Sequence, residues 1–205
     1  MAVSDLFVRR SWLSKRAIVL PLLAVALAGC GTSAKNDTFD LSASVSGDGG
    51  PAAKNRQILV QQPTALKALD SEQIVIRVSS SEIQYLAKAQ WSDKLPRMVQ
   101  AKLVEAYENS GKLGGVGIPG QGLAIDYQVV TDIRAFEIAT GNGGQAVVEI
   151  SAKILNDRNG SVRAQKVFRQ AVPAGGGSTD GFVKALDRAF SSVSSEIVDW
   201  TLKSI

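Results

Sequence analysis

The sequence predicts an α+β domain, an antiparallel or mixed sheet of about five to six strands with two amphipathic helices packed on one face. Three observations carry this expectation. Through residues 123–154 apolar side chains alternate with polar ones, the two-residue period of strands with one buried face. Two other segments, 95–107 and 182–200, repeat apolar residues at threes and fours, the period of a helix with one apolar stripe. Sheet and helices are each one-sided, and laying both helices on the sheet's apolar face buries all three surfaces together.

The first 29 residues read as an export signal, not as part of the fold. Arg9, Arg10, Lys15 and Arg16 precede an apolar run over residues 17–28 that is too short to span a bilayer comfortably, and small residues follow it. Leu27-Ala28-Gly29-Cys30 matches the lipobox of bacterial lipoproteins. The expected cut lies between Gly29 and Cys30, with Cys30 as the lipid attachment site. An exported chain with a single cysteine cannot form an internal disulfide, which agrees with acylation of that thiol. One acyl chain holds only marginally, at roughly 0.8 kcal/mol per buried methylene, so the two or three chains of a lipoprotein are needed for a lasting anchor. Gly31, where aspartate would favour inner-membrane retention, points to the outer membrane by the family sorting rule. The expected organisation is a signal peptide over 1–29, a flexible tether over 30–37 and one domain over 38–205.

Within the domain, Phe39, Leu41, Ala43 and Val45 alternate and suggest a first strand, ended by Gly47-Asp48-Gly49-Gly50-Pro51. Residues 58–60 and the alternation of Ile74, Ile76 and Val78 read as two more. Ile83, Tyr85 and Leu86 continue as an extended segment to Trp91. From Ser92 the period becomes helical, with Leu95, Met98, Val99, Leu103, Ala106 and Tyr107 on one stripe, Ser92 or Asp93 as the cap, Pro96 near the start and Gly111 after the end. Residues 114–120 are glycine-rich, but a helix precedes them and a strand follows, the reverse of a phosphate loop, so they read as a connector. Leu123, Ile125, Tyr127, Val129 and Ile133 then mark a long strand whose phase flips at Phe136 and Ile138, as a bulge would cause. Ala146 to Ile154 and then Val162, Ala164 and Phe168 complete a three-stranded antiparallel meander. After Gly175-Gly176-Gly177, with Ser178, Thr179 or Asp180 as cap, Phe182, Leu186, Phe190, Val193, Ile197 and Trp200 mark a long closing helix.

Composition narrows the function. The chain has 23 Lys and Arg, 19 Asp and Glu, and no histidine. Without residues 1–29 the balance is 19 basic to 18 acidic, because Arg9, Arg10, Lys15, Arg16 and Asp5 leave with them. A near-neutral surface without a dense basic block argues against nucleic acid as a partner. The lack of histidine removes the Ser-His-Asp and Cys-His relays and His-ligated zinc, and acylation of Cys30 removes thiolate chemistry. No motif for a serine-lysine, paired-carboxylate or calcium site stands at a recognisable spacing, so the expectation is a non-enzyme without cofactor or metal.

The run Tyr85-Leu86-Ala87-Lys88-Ala89-Gln90-Trp91-Ser92-Asp93-Lys94-Leu95-Pro96, with Val99-Gln100, Leu103 and Ala106-Tyr107-Glu108, resembles the ABC-type transport auxiliary lipoprotein family, the family of the paraquat-inducible outer-membrane lipoprotein. Asp132-Ile133-Arg134 with Phe136-Glu137, Ala152-Lys153-Ile154-Leu155, Phe168 and Asp199-Trp200 extend the likeness over nearly the whole domain. The resemblance implies a periplasm-facing, outer-membrane-anchored lipoprotein that works with an ABC permease, its ATPase and a periplasmic protein of the mammalian-cell-entry type in moving lipid between two membranes. It also implies the capacity to form homo-oligomers. The alternative is a structural or assembly lipoprotein of another envelope complex. Trp91 and Asp93 are the candidate partner-binding residues; the competing reading of each is structural, a packed anchor for Trp91 and a helix cap for Asp93. If lipid passes through the domain, a pocket is expected between helix and sheet or at a subunit interface, lined by residues such as Leu103, Tyr107, Phe182 or Phe190.

Overall fold

A computed structural model describes residues 36–43, 49–141 and 143–205. The signal, the Gly29–Cys30 cut site, most of the tether and Val45 of the expected first strand lie outside the described residues. Residues Asn36–Ile205 form one compact unit.

Its elements in chain order are β1 (Asp37–Phe39), β2 (Ala53–Val60), β3 (Thr64–Ala65), β4 (Gln73–Arg77), β5 (Ile83–Trp91), α1 (Leu95–Ser110), β6 (Leu113–Gly117), β7 (Tyr127–Ala139), β8 (Gln145–Asn156), β9 (Val162–Pro173) and α2 (Thr179–Ser204). The α+β class and the two helices are as expected. The sheet is open and mixed, with nine strands among the described residues where about five to six were expected. The additional strands leave little trace in sequence: β3 is two residues long, and β6 is Leu-Gly-Gly-Val-Gly, the segment read as a connector. Glycine has low strand propensity, yet here it permits close approach, since a Cβ on Gly114 would run into the carbonyl oxygen of Lys54 on β2.

The spine of the sheet is β7. Along one edge it pairs antiparallel with β8, from Tyr127 opposite Asn156 to Ala139 opposite Gln145, and β8 pairs antiparallel with β9. This is the predicted meander. The other edge of β7 is shared by three successive parallel strands: β2 beside its start, β3 beside Asp132 and Ile133, and β4 beside its end. Two wings extend from there, β6 on β2 and β5 then β1 on β4. The register shift between Ile133 and Ala135 is the bulge that the phase flip predicts. It lets Val129 and Ile133 before it and Phe136 and Ile138 after it all be buried. The strand starts later than its alternation suggests: Leu123 precedes it in a loop and is 39% exposed.

Both helices share one core with the sheet. In α2, 26 residues long, the Ser178 hydroxyl accepts the Gly181 N–H at 3.1 Å, Asp180 sits in the first turn and Lys203 in the last. These signs suit the helix dipole. Trp91, Phe136 and Phe190 form a chain of ring contacts at 5.7 and 5.9 Å, and Phe168 meets Trp200 at 5.4 Å. Fully burying a large side chain of this kind stabilises by roughly 1.5–3 kcal/mol. The helices are joined by a buried hydrogen bond, Tyr107 Oη to Thr201 Oγ1 at 2.7 Å. Burial pushes the Tyr107 phenol up from its ordinary value, the bond to Thr201 opposing it.

Candidate functional site

Residues 91–97, the centre of the family-like run, sit where β5 turns into α1, and backbone bonds fix that turn. The Trp91 N–H donates to Glu72 O (2.7 Å), Ser92 N–H to Phe39 O (2.8 Å) and Leu95 N–H to Ser71 O (3.1 Å). Trp91 is 1% exposed, its ring edge-on to Phe136. In this fold its ring is held inside the core.

Asp93 lies at the surface. It does not cap α1 as the structural reading had it: the N-cap residue is Lys94, which makes no side-chain cap bond, and Pro96 occupies the first turn. The Asp93 carboxylate instead accepts the Lys94 N–H at 2.7 Å and pairs with Arg97 at 3.2 Å. At the other end Gly111 closes α1 in a left-handed conformation (φ 60°), its N–H donating to Glu108 O at 2.9 Å. Only glycine takes that conformation without steric cost.

Asp93 borders a groove of about 520 Å³ formed by α1, the segment after β1 and the loop after β6. Charged groups around it are Asp40, Asp93, Arg97 and Lys102, and apolar ones are Met98, Val104 and Ile118. Lys102 is drawn between Asp40 at 3.3 Å and Glu105 at 3.7 Å. The charges are therefore balanced in pairs, beside the apolar side chains of Met98, Val104 and Ile118. Among the described residues no group of three or more His, Cys, Asp or Glu side chains could hold a metal ion. No helix among them is long and apolar enough to cross a membrane.

Of the two places expected for a lipid pocket, the space between helix and sheet is filled by core side chains. Leu103, Tyr107 and Phe190 are fully buried in the core, and Phe182 borders a separate cleft of about 220 Å³ near Gly175. Sequence reasoning found Asp93 but missed the rest of the groove. The spacings of Asp93 with Arg97 and of Lys102 with Glu105 were legible on a helix. Asp40 and Ile118 come from segments far off in the chain, and nothing local marks them.

Comparison with known proteins agrees with this architecture. The family model for the ABC-type transport auxiliary lipoprotein component matches residues 39–198. An uncharacterized protein of Bradyrhizobium diazoefficiens, bll6063, is 29% identical over 182 residues, which are 87% of this chain and 48% of that protein. The chain thus spans about half the length of this curated relative. Among solved structures, protein XCC0632 from Xanthomonas campestris superposes with a TM-score of 0.77 at 28% identity, over 82% of this chain and 95% of that one. A second uncharacterized protein gives a TM-score of 0.64 at 16% identity, over 82% and 99% respectively, a likeness of fold alone.

Proposed function

We propose, given that the chain belongs to the ABC-type transport auxiliary lipoprotein family, that it is the outer-membrane-anchored, periplasm-facing auxiliary component of an ABC and mammalian-cell-entry-type system moving lipid between membranes. The observation that carries the proposal is the family match over nearly the whole domain, together with the lipobox ending at Cys30. Acylated Cys30 would fasten the domain to the membrane, and Gly31 supports the outer membrane as its address. The chain's part is non-catalytic: it presents a surface, and the energy for transport comes from a partner ATPase. Asp93 and the groove along α1 form that surface. Their paired charges set the register of a protein partner while Met98, Val104 and Ile118 supply apolar contact.

The test is isolation of the tagged, acylated protein from crosslinked membranes of its native host, followed by mass spectrometry. The expected result is recovery of an ABC permease, its ATPase or a mammalian-cell-entry-type protein. Recovery of a different envelope complex, with none of these, would replace the proposal by the reading as a structural or assembly lipoprotein. Self-association, expected from the family, is measured on the same preparation by sedimentation.

A further inference from the structure

The sheet face turned away from the helices carries a second depression, of about 240 Å³, that the groove does not share. Along β7, Val129, Thr131 and Ile133 are buried, and the alternate residues Val130 and Asp132 face the other way. In the strand register Asp132 lies beside Ser151 and Ser151 beside Val167; two residues along, Val130 lies beside Lys153 and Lys153 beside Gln165. Neighbouring strands are about 4.8 Å apart, and alternate residues on one strand about 6.8 Å. Ser151, Lys153 and Gln165 therefore stand on one face as neighbours, the short serine between longer side chains.

Three donors here lack partners. Ser151 is 4% exposed, and its hydroxyl makes no hydrogen bond among the described residues. Among the described residues the buried side-chain polar atom without a partner is Thr131 Oγ1; the Ser151 hydroxyl is reached by solvent from the depression and is free to donate into it. The Lys153 ammonium forms no ion pair and the Gln165 amide no hydrogen bond among the described residues. The acid in the lining is already engaged: Asp132 accepts from Thr64 Oγ1 at 2.8 Å and lies 3.6 Å from Arg134 Nε. Glu149, next along this face, is shared by Arg169 at 3.4 Å and Arg134 at 4.0 Å. Of these five charges the positive excess is left on Lys153.

We propose that this depression binds a phosphate group, monoester or diester, with the Lys153 ammonium supplying the charge and the Ser151 hydroxyl and Gln165 amide donating to its oxygens. Three neighbouring donors on one face can share the oxygens of one oxyanion, and lysine serves phosphate as a point charge. The volume exceeds a water's share of roughly 30 Å³ several-fold. Free phosphate and the headgroup of a phospholipid present the same chemistry. The site does not depend on the transporter assignment and would survive its failure.

The test is calorimetric titration of the full-length protein in a phosphate-free nonionic detergent. The probes are inorganic phosphate, glycerol 3-phosphate and dihexanoyl phosphatidylglycerol. Saturable binding of at least one probe is expected, weakened about tenfold or more in Lys153→Gln and measurably in Ser151→Ala, but unchanged in Lys184→Gln on the distant α2. Preference for the lipid probe identifies a headgroup site, and equal or better binding of inorganic phosphate identifies a free-phosphate site. No saturable binding of any probe, or equal affinity in Lys153→Gln and the unaltered protein, would overturn the proposal. Circular dichroism of each variant separates loss of the site from loss of fold.

Discussion

Tyr107 carries the sharpest single-residue consequence of the fold. Its phenol is fully buried and bonded to Thr201, and burial holds its pKa above the ordinary value near 10. A raised folded-state pKa means that the unfolded chain loses this proton first as pH rises. The stabilisation is therefore intact below about pH 10 and declines above it. Tyr107→Phe should cost about 1–2 kcal/mol near neutrality, through the lost bond and the stranded Thr201 hydroxyl. It should also flatten the alkaline fall in stability, which urea unfolding at pH 7 and above pH 10 would reveal. A second residue-level prediction concerns Arg77, which pairs with Glu137 at 2.6 Å; that bond is the main cause raising the Arg77 pKa, and the Glu137 side chain is 8% exposed. Arg77→Ala leaves a sheltered carboxylate unpaired. Arg77 itself is 37% exposed, so the expected loss is about 1–3 kcal/mol, below that of a fully buried pair. Thermal melts of the variant and the unaltered protein at pH 7 would show it. Neither pair was legible in sequence, because side chains 94 and 60 positions apart carry no local mark of meeting.

Among elements, legibility followed periodicity. The meander, its bulge and both helices announced themselves because each buries one face over many residues, so the apolar pattern repeats. The parallel edge of β7 did not. Residues 58–60 and the alternation of Ile74, Ile76 and Val78 did mark β2 and β4 as strands, but the two-residue β3 and the parallel pairing of all three with β7 carry no local signal. In β6, glycine erased the signal altogether. The same glycine gives a test: Gly114→Ala would force a methyl against the Lys54 carbonyl oxygen of β2. That oxygen is backbone and cannot swing aside. The expected cost is about 1–3 kcal/mol, and amide exchange should speed up across Leu113–Gly117 and the facing half of β2 while β8 and β9 stay protected. Uniform loss of protection across the sheet would show that the β2–β6 wing is not a separable unit.

For the whole molecule, the family-like run pointed to the ABC-type transport auxiliary lipoprotein family before any coordinate did, but not to the groove. Trp91, the most conspicuous residue of that run, proved to be core. The groove beside it is assembled from three separate segments, and its polar members look like ordinary solvated side chains when read one at a time. The proposed acylation leads to a plain prediction: labelled fatty acid should be incorporated into the unaltered protein in its native host and not into Cys30→Ser, whose fold should be unchanged by circular dichroism. The transporter role is tested most directly by a photocrosslinking residue placed in the native host at Ala101, exposed on α1 within the groove, with Val162 on β9 as the control position. The account predicts adducts from Ala101 to a mammalian-cell-entry-type protein or an ABC permease, and none of these from Val162. Adducts from Ala101 only to unrelated envelope proteins, or the same adducts from both positions, would contradict it.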